Sequence, residues 1–209
     1  MQKKDMSPSG RLRRVPPKRS AAFLLHLASR SERRKEILRE MKMRFRVVPS
    51  RYRERPLPGR RPEEIVRIHA KAKALHACVR ARAARWVLGA DTIVFCRGRM
   101  LGKPRSWAEA KRMLAFLSGK VHEVWTGLAL WDRKEDRIFE ASERTRVHFR
   151  RLSPAAIHDY LAQVPHLDKA GAYAIQMGPR IVRRIEGSYS NVVGLPRELL
   201  RRMLRQHRT

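Results

Sequence analysis

The stretch 88–94, LGADTIV, constrains this chain more than any other. It is a short apolar run of small and β-branched residues, the pattern of a strand buried on both faces. Asp91 stands in its middle, followed at once by Thr92. An isolated buried carboxylate is very costly, so it must be paired, hydrogen-bonded or bound to a cation. Any fold for this chain therefore brings a compensating charge to an inner strand, as half of a structural ion pair or as part of a site. Lys73 lies before Asp91 in the sequence, and Lys103 follows twelve residues after it in a Gly-Lys-Pro turn.

The flanking segments alternate between strand and helix patterns. Residues 22–28 form an apolar strand, and 32–42 read as a helix with Ile37, Leu38 and Met41 on one face. Ser29-Arg30-Ser31-Glu32 fits a capping box that would start this helix. A strand at 44–49, a Pro/Arg-rich loop at 50–61 and a helix from Pro62 to about Ala84 precede the Asp91 strand. After it come a turn at 97–99, a capping box at Ser106–Glu109 and a helix closed by Gly119. Strands at 121–131 and 138–149, a short helix from Ser153-Pro154, a strand at 180–186 and a basic helix from Pro196 complete the domain. Such interleaving indicates a mixed α/β domain over 21–209. Residues 1–20, with seven Lys or Arg, one acid and three prolines, read as a flexible basic extension.

Charge narrows the partners. There are 49 Lys and Arg against 19 Asp and Glu, a net charge of +30. Such a field attracts polyanions, from nucleic acid to small phosphorylated substrates. The excess is spread along the chain, so nucleic acid is expected only as a nonspecific electrostatic partner. Aromatics make up 7% of the chain, too few for a base-stacking module. No apolar stretch approaches the roughly 20 residues needed to span a bilayer, so no membrane partner is expected. Cys78 and Cys96 sit in apolar contexts and read as buried thiols, which suits a reducing, cytoplasmic setting.

Taken singly, the polar candidates have ordinary explanations. Ser29, Ser31, Arg33 and Arg34 could form an anion site at a helix N-terminus or simply cap a helix. Glu54 could be a surface ion pair, and His122 and Glu123 read as structural. The eight histidines lack zinc-site spacing, and neither a P-loop nor a dinucleotide-binding glycine pattern is present.

Taken in order, the segments carry more. LASRSERR at 27–34, KA at 73–74, GADTIV at 89–94 and LGKP at 101–104 are followed by LSGKVHEVWTG at 117–127, DKAGAYAIQ at 168–176 and EGSYSNVVGLP at 186–196. This series resembles the Maf family of nucleoside triphosphate pyrophosphatases. The resemblance implies a Maf/ITPase-like mixed sheet with flanking helices, in two lobes around a central cleft, and a homodimer. It implies hydrolysis of nucleoside triphosphates to monophosphate and pyrophosphate, with a house-cleaning role and dTTP and UTP as substrates. Asp91 matches the water-activating carboxylate, with Lys73 and Lys103 beside it in the catalytic set. Ser29, Arg34, Lys73 and Lys103 match triphosphate-holding positions, with Ser31 among the substrate-binding residues at the same helix N-terminus; Arg33, Thr92 and Gln176 match positions tied to base choice. Glu54 and Asp91 match the carboxylates linked to a divalent cation, Mg²⁺ foremost, with Mn²⁺ or Co²⁺ as alternatives.

The chain departs from the pattern at Glu32, in place of the usual proline, at His69, in place of an aliphatic residue, and at Met177, in place of a glycine. Met177 bears on base preference, where 7-methyl-GTP is the alternative substrate. A regulator of cell division that binds nucleotide or nucleic acid without hydrolysis is the alternative function.

Overall fold

In the computed structural model, which describes residues 24–81 and 84–207, the 88–94 run lies within an eleven-residue strand, β3 (Trp86–Cys96). The basic extension expected over 1–20 falls outside the described residues. β3 sits inside a seven-stranded sheet with β1 (Leu25–Leu27), β2 (Phe45–Val47), β4 (Arg99–Leu101), β5 (Val121–Asp132), β6 (Arg137–Phe149) and β7 (Val182–Glu186). The order is β2-β1-β3-β5-β6-β7, with β4 folded back on the end of β3. β1 runs parallel to β2 and β3, and all other pairs are antiparallel. The expected mixed α/β architecture is the observed one.

Alternation along β3 assigns its faces. Val87 and Gly89 look toward α2 (Pro62–Cys78), where Ala70, Ala74 and Ala77 form a core of small residues. Leu88 and Ala90 look the other way, into a core with α1 (Glu32–Glu40) and α6 (Arg197–His207). Beyond Asp91 the same strand enters a further core. There Val94 and Cys96 pack with Val124 of β5, Val147 of β6, α3 (Trp107–Leu117) and α4 (Pro154–Gln163). A single strand thus runs through two lobes, and Asp91 stands where they meet. Among the described residues no helix is long and apolar enough to cross a membrane.

Two helix boundaries differ from the sequence reading. Ser29 does not cap α1: the helix begins at Glu32 after Ser31, whose side chain makes no capping bond. The Ser29 hydroxyl instead accepts from Ser31 N–H (3.2 Å) and from Arg34 of α1 (3.1 Å), so local donors other than the helix's first-turn backbone take the group that would have capped. α2 ends at Cys78 rather than near Ala84. Ala81 N–H still reaches back to Ala77 and Cys78 in a turn, and the Ala/Arg composition there carries no stop signal. The capping bond from Glu109 N–H to Ser106 is present at 3.2 Å.

His122 of β5 is structural, as its sequence context suggests. It is 1% exposed, set edge-on to Phe149 and Tyr173, with Nε2 2.8 Å from the Tyr173 hydroxyl. Burial, helped by nearby His148, pulls its pKa down to about 3. The unfolded chain binds this proton first, near pH 6.5, so folding stability is complete above that pH and is lost as pH falls toward 3. At pH 5 the loss amounts to about 2 kcal/mol. Thermal unfolding midpoints should fall between pH 7 and 5 in the natural chain, and His122→Asn should flatten that slope. A variant with the parent slope would refute this source of acid sensitivity.

Candidate functional site

α2 rests on the sheet at two glycines. A Cβ on Gly89 would lie 2.0 Å from the Ala70 carbonyl oxygen, and one on Gly127 would lie 2.3 Å from that of Val66. Gly127 is the cross-strand partner of Asp91. Helix backbone therefore touches strand backbone directly above the acid. At that separation Lys73, pointing down from α2, places Nζ 2.6 Å from Asp91 Oδ1. The same ammonium lies 2.6 Å from Glu54 Oε1, which arrives on the loop after β2. Asp91 is 3% exposed, and its Oδ2 is buried without a hydrogen-bond partner among the described residues. The Glu54 side chain remains half-exposed. Burial alone would raise the Glu54 carboxyl, but Lys73, with Lys103 and His69 behind it, holds it below the ordinary carboxylate range.

These groups form one end of a cleft of about 900 Å³ between the two lobes. The ten residues to which the resemblance assigns a catalytic, substrate-binding or cation role all line it. A second, more open hollow of about 480 Å³ at Glu143, Ser190 and Glu198 contains none of them.

Arg34 has a different environment from the other cations. Its Nε donates to Gly194 O (2.8 Å), Nη1 to Ser29 Oγ (3.1 Å) and Ala90 O (3.0 Å), and Nη2 to Thr92 Oγ1 (3.1 Å). Burial pulls its pKa down, and Asp91 opposes that pull. Most of its donors are therefore spent tying α1 to β3 and to the Gly194 turn. Thr92 also meets Thr126 across the ladder at 3.0 Å. Lys103 and Gln176 are exposed on the walls, with Met177 beside Gln176.

The wall opposite α1 holds two charged residues that sequence reasoning missed. Asp168 lies 4.0 Å from Arg33 and 2.5 Å from Lys169, whose side chain is only 5% exposed. Burial would raise the Asp168 carboxyl, and Lys169 with Arg33 reverses that and holds it low. The acid–base pair opening DKAGAYAIQ was the available signal. Three bonds fasten this wall: Gly171 N–H donates to Gly102 O at 3.0 Å, and the Tyr160 hydroxyl donates to Ala174 C=O and accepts from Ala174 N–H, each at 3.0 Å.

Whether the site suits a divalent cation can be judged from its donors. Among the described residues no cluster of three or more His, Cys, Asp or Glu forms a ready cage. Glu54 and the unpartnered Oδ2 of Asp91 are hard oxygen donors on one cleft wall. One or two carboxylates completed by water and phosphate oxygens is the habit of Mg²⁺, so the donor set fits it.

A family model described as Maf-like protein matches residues 24–207. Among curated relatives, the dTTP/UTP pyrophosphatase of Geobacter sp. (strain M21) is 49% identical over 171 residues, 81% of this chain and 88% of that protein. Those of Gloeobacter violaceus and Moorella thermoacetica are 46% and 48% identical, over 84% and 82% of this chain and 92% and 89% of theirs. Among solved structures, the Staphylococcus aureus Ham1 protein is similar at 15% identity with a TM-score of 0.40, covering 88% of this chain and 99% of that one.

The glycine seat of α2 is testable. Gly127→Ala should force the helix off the strand and cost about 1–3 kcal/mol, lowering the thermal midpoint by roughly 3–10 °C. A variant as stable as its parent would show that the contact is not tight.

Proposed function

The chain belongs to the Maf family, and from that premise we propose that its cleft hydrolyses dTTP and UTP to nucleoside monophosphate and pyrophosphate. The observation that carries the reading is the buried carboxylate of Asp91, paired with Lys73 through Oδ1 and unpartnered at Oδ2.

Asp91 orients a water molecule and takes its proton as the water oxygen attacks the α-phosphorus. The new P–O bond forms as the bond from the α-phosphorus to the bridging oxygen breaks, and pyrophosphate leaves with that electron pair. Lys73 holds Asp91 in place through Oδ1. Lys103, Ser29, Ser31 and the first turn of α1 bind phosphate oxygens, which suits the free N–H groups and dipole of a helix N-terminus. Arg33, Thr92 and Gln176 face the base, with Met177 at the same wall. Arg34 acts mainly by holding Ser29 and Thr92 in place. Glu54 and Asp91 would hold Mg²⁺, which supplies neutralisation of the polyphosphate charge when bound. The enzyme works with the nucleotide pool of the cytoplasm, where the buried free thiols Cys78 and Cys96 stay reduced.

Asp91→Asn should retain nucleotide binding and lose roughly 10²–10⁴-fold in turnover. A pyrophosphate-release screen with Mg²⁺ over dTTP, UTP, CTP and 7-methyl-GTP should show preference for the first two. Full turnover in Asp91→Asn would remove the assigned base, and a 7-methyl-GTP preference would overturn the substrate.

A further inference from the structure

Glu54 reaches Lys73 from a segment that has almost nothing else to hold it. Residues 48–57 have no regular secondary structure. Between Val48, which bonds to β1, and Arg60, which bonds to Leu57, no backbone–backbone hydrogen bond is made among the described residues. Tyr52 N–H donates to the Ser50 hydroxyl at 3.0 Å, a bond inside the segment itself. Among the described residues, two polar contacts connect 49–56 to the rest of the fold. One is Glu54 with Lys73 at 2.6 Å. The other is the Tyr52 hydroxyl with His69 Nδ1 at 3.0 Å.

Both contacts land on α2, at positions four residues apart, which stack on one helix face. On the loop, Tyr52 and Glu54 are two residues apart, so in an extended segment they point to the same side. His69 is 4% exposed, and Tyr52 packs across its ring with centroids 5.7 Å apart. The Tyr52 ring also lies 5.8 Å from that of His76, two turns further along the helix. The exposed glutamate is thus anchored next to a rigid, buried acceptor-donor ring, whereas its own ion pair to Lys73 is half-open to water and weak as a tether.

We propose that Tyr52 and His69 are positioning residues for the reaction: their hydrogen bond pins the 49–56 segment so that Glu54 is presented beside Lys73 and Asp91. This rests on the hydrolase reading above. Neither residue touches the reacting atoms. Without the pin, the segment relaxes into solvent and Glu54 leaves the carboxylate pair that suits Mg²⁺.

The test compares the natural chain with Tyr52→Phe, His69→Leu and His69→Asn, the last of which keeps a polar atom near the place of Nδ1. Two measurements are made on each: amide hydrogen exchange without nucleotide, and pyrophosphate release from dTTP as Mg²⁺ is titrated. Tyr52→Phe and His69→Leu should speed exchange within 49–56 and leave the remaining sheet protected. They should raise the half-saturating Mg²⁺ concentration roughly three- to tenfold, the effect of one neutral hydrogen bond, with a smaller change in turnover at saturation. His69→Asn should restore part of both. Unchanged exchange in 49–56, or a loss of turnover with no shift in Mg²⁺ dependence, would overturn the proposal. A natural chain that releases no pyrophosphate would overturn the hydrolase reading, and the exchange measurement would still decide whether Tyr52 pins the segment.

Discussion

The ion pair between Lys73 and Asp91 organises this molecule. A carboxylate 3% exposed in the middle of an inner strand is stable only with a cation at contact distance, and Lys73 Nζ stands 2.6 Å away. Reaching it requires α2 to lie backbone-to-backbone on the sheet, which only Gly89 and Gly127 allow, with Ala70 and Ala74 above them. Small residues here are therefore as functional as charged ones. They set the height of a helix, and that height decides whether a lysine side chain meets its acid.

Charge is distributed with the same economy. The chain carries 49 Lys and Arg against 19 Asp and Glu, yet Asp91, Glu54 and Asp168 all face the same cleft. Each is matched by a cation: Lys73 serves Asp91 and Glu54, and Lys169 and Arg33 serve Asp168. Arg34 binds the protein rather than the solvent, through four oxygen acceptors on three parts of the chain. A net charge of +30 favours the approach of anions, an attraction that weakens as salt rises.

Much of the site could be read before the fold was known, because strand alternation and a costly buried acid are local signals. The run at 88–94 announced an inner strand, and Asp91 announced a partner. Ser29 shows where local reading stops. Its spacing to Glu32 fits a cap, but Arg34 and Ser31 claim its hydroxyl. Asp168 and Lys169 escaped notice because their importance comes from Arg33, 135 residues away in sequence. His69, conspicuous only as an odd residue on a helix, gains meaning from Tyr52 on a loop whose course no periodicity predicts.

β3 passes from one core into the other without interruption, paired with β5 from Trp86 to Phe95. A hinge between the lobes would have to break several rungs of that ladder at once. The two halves are therefore splinted together, and the width of the cleft is left to segments that no ladder restrains: 48–61, 102–106 and 168–178. Each of these carries a residue that faces the cleft, among them Glu54, Lys103 and Gln176. Any change in cleft width on ligand binding therefore falls to these segments before it falls to the sheet.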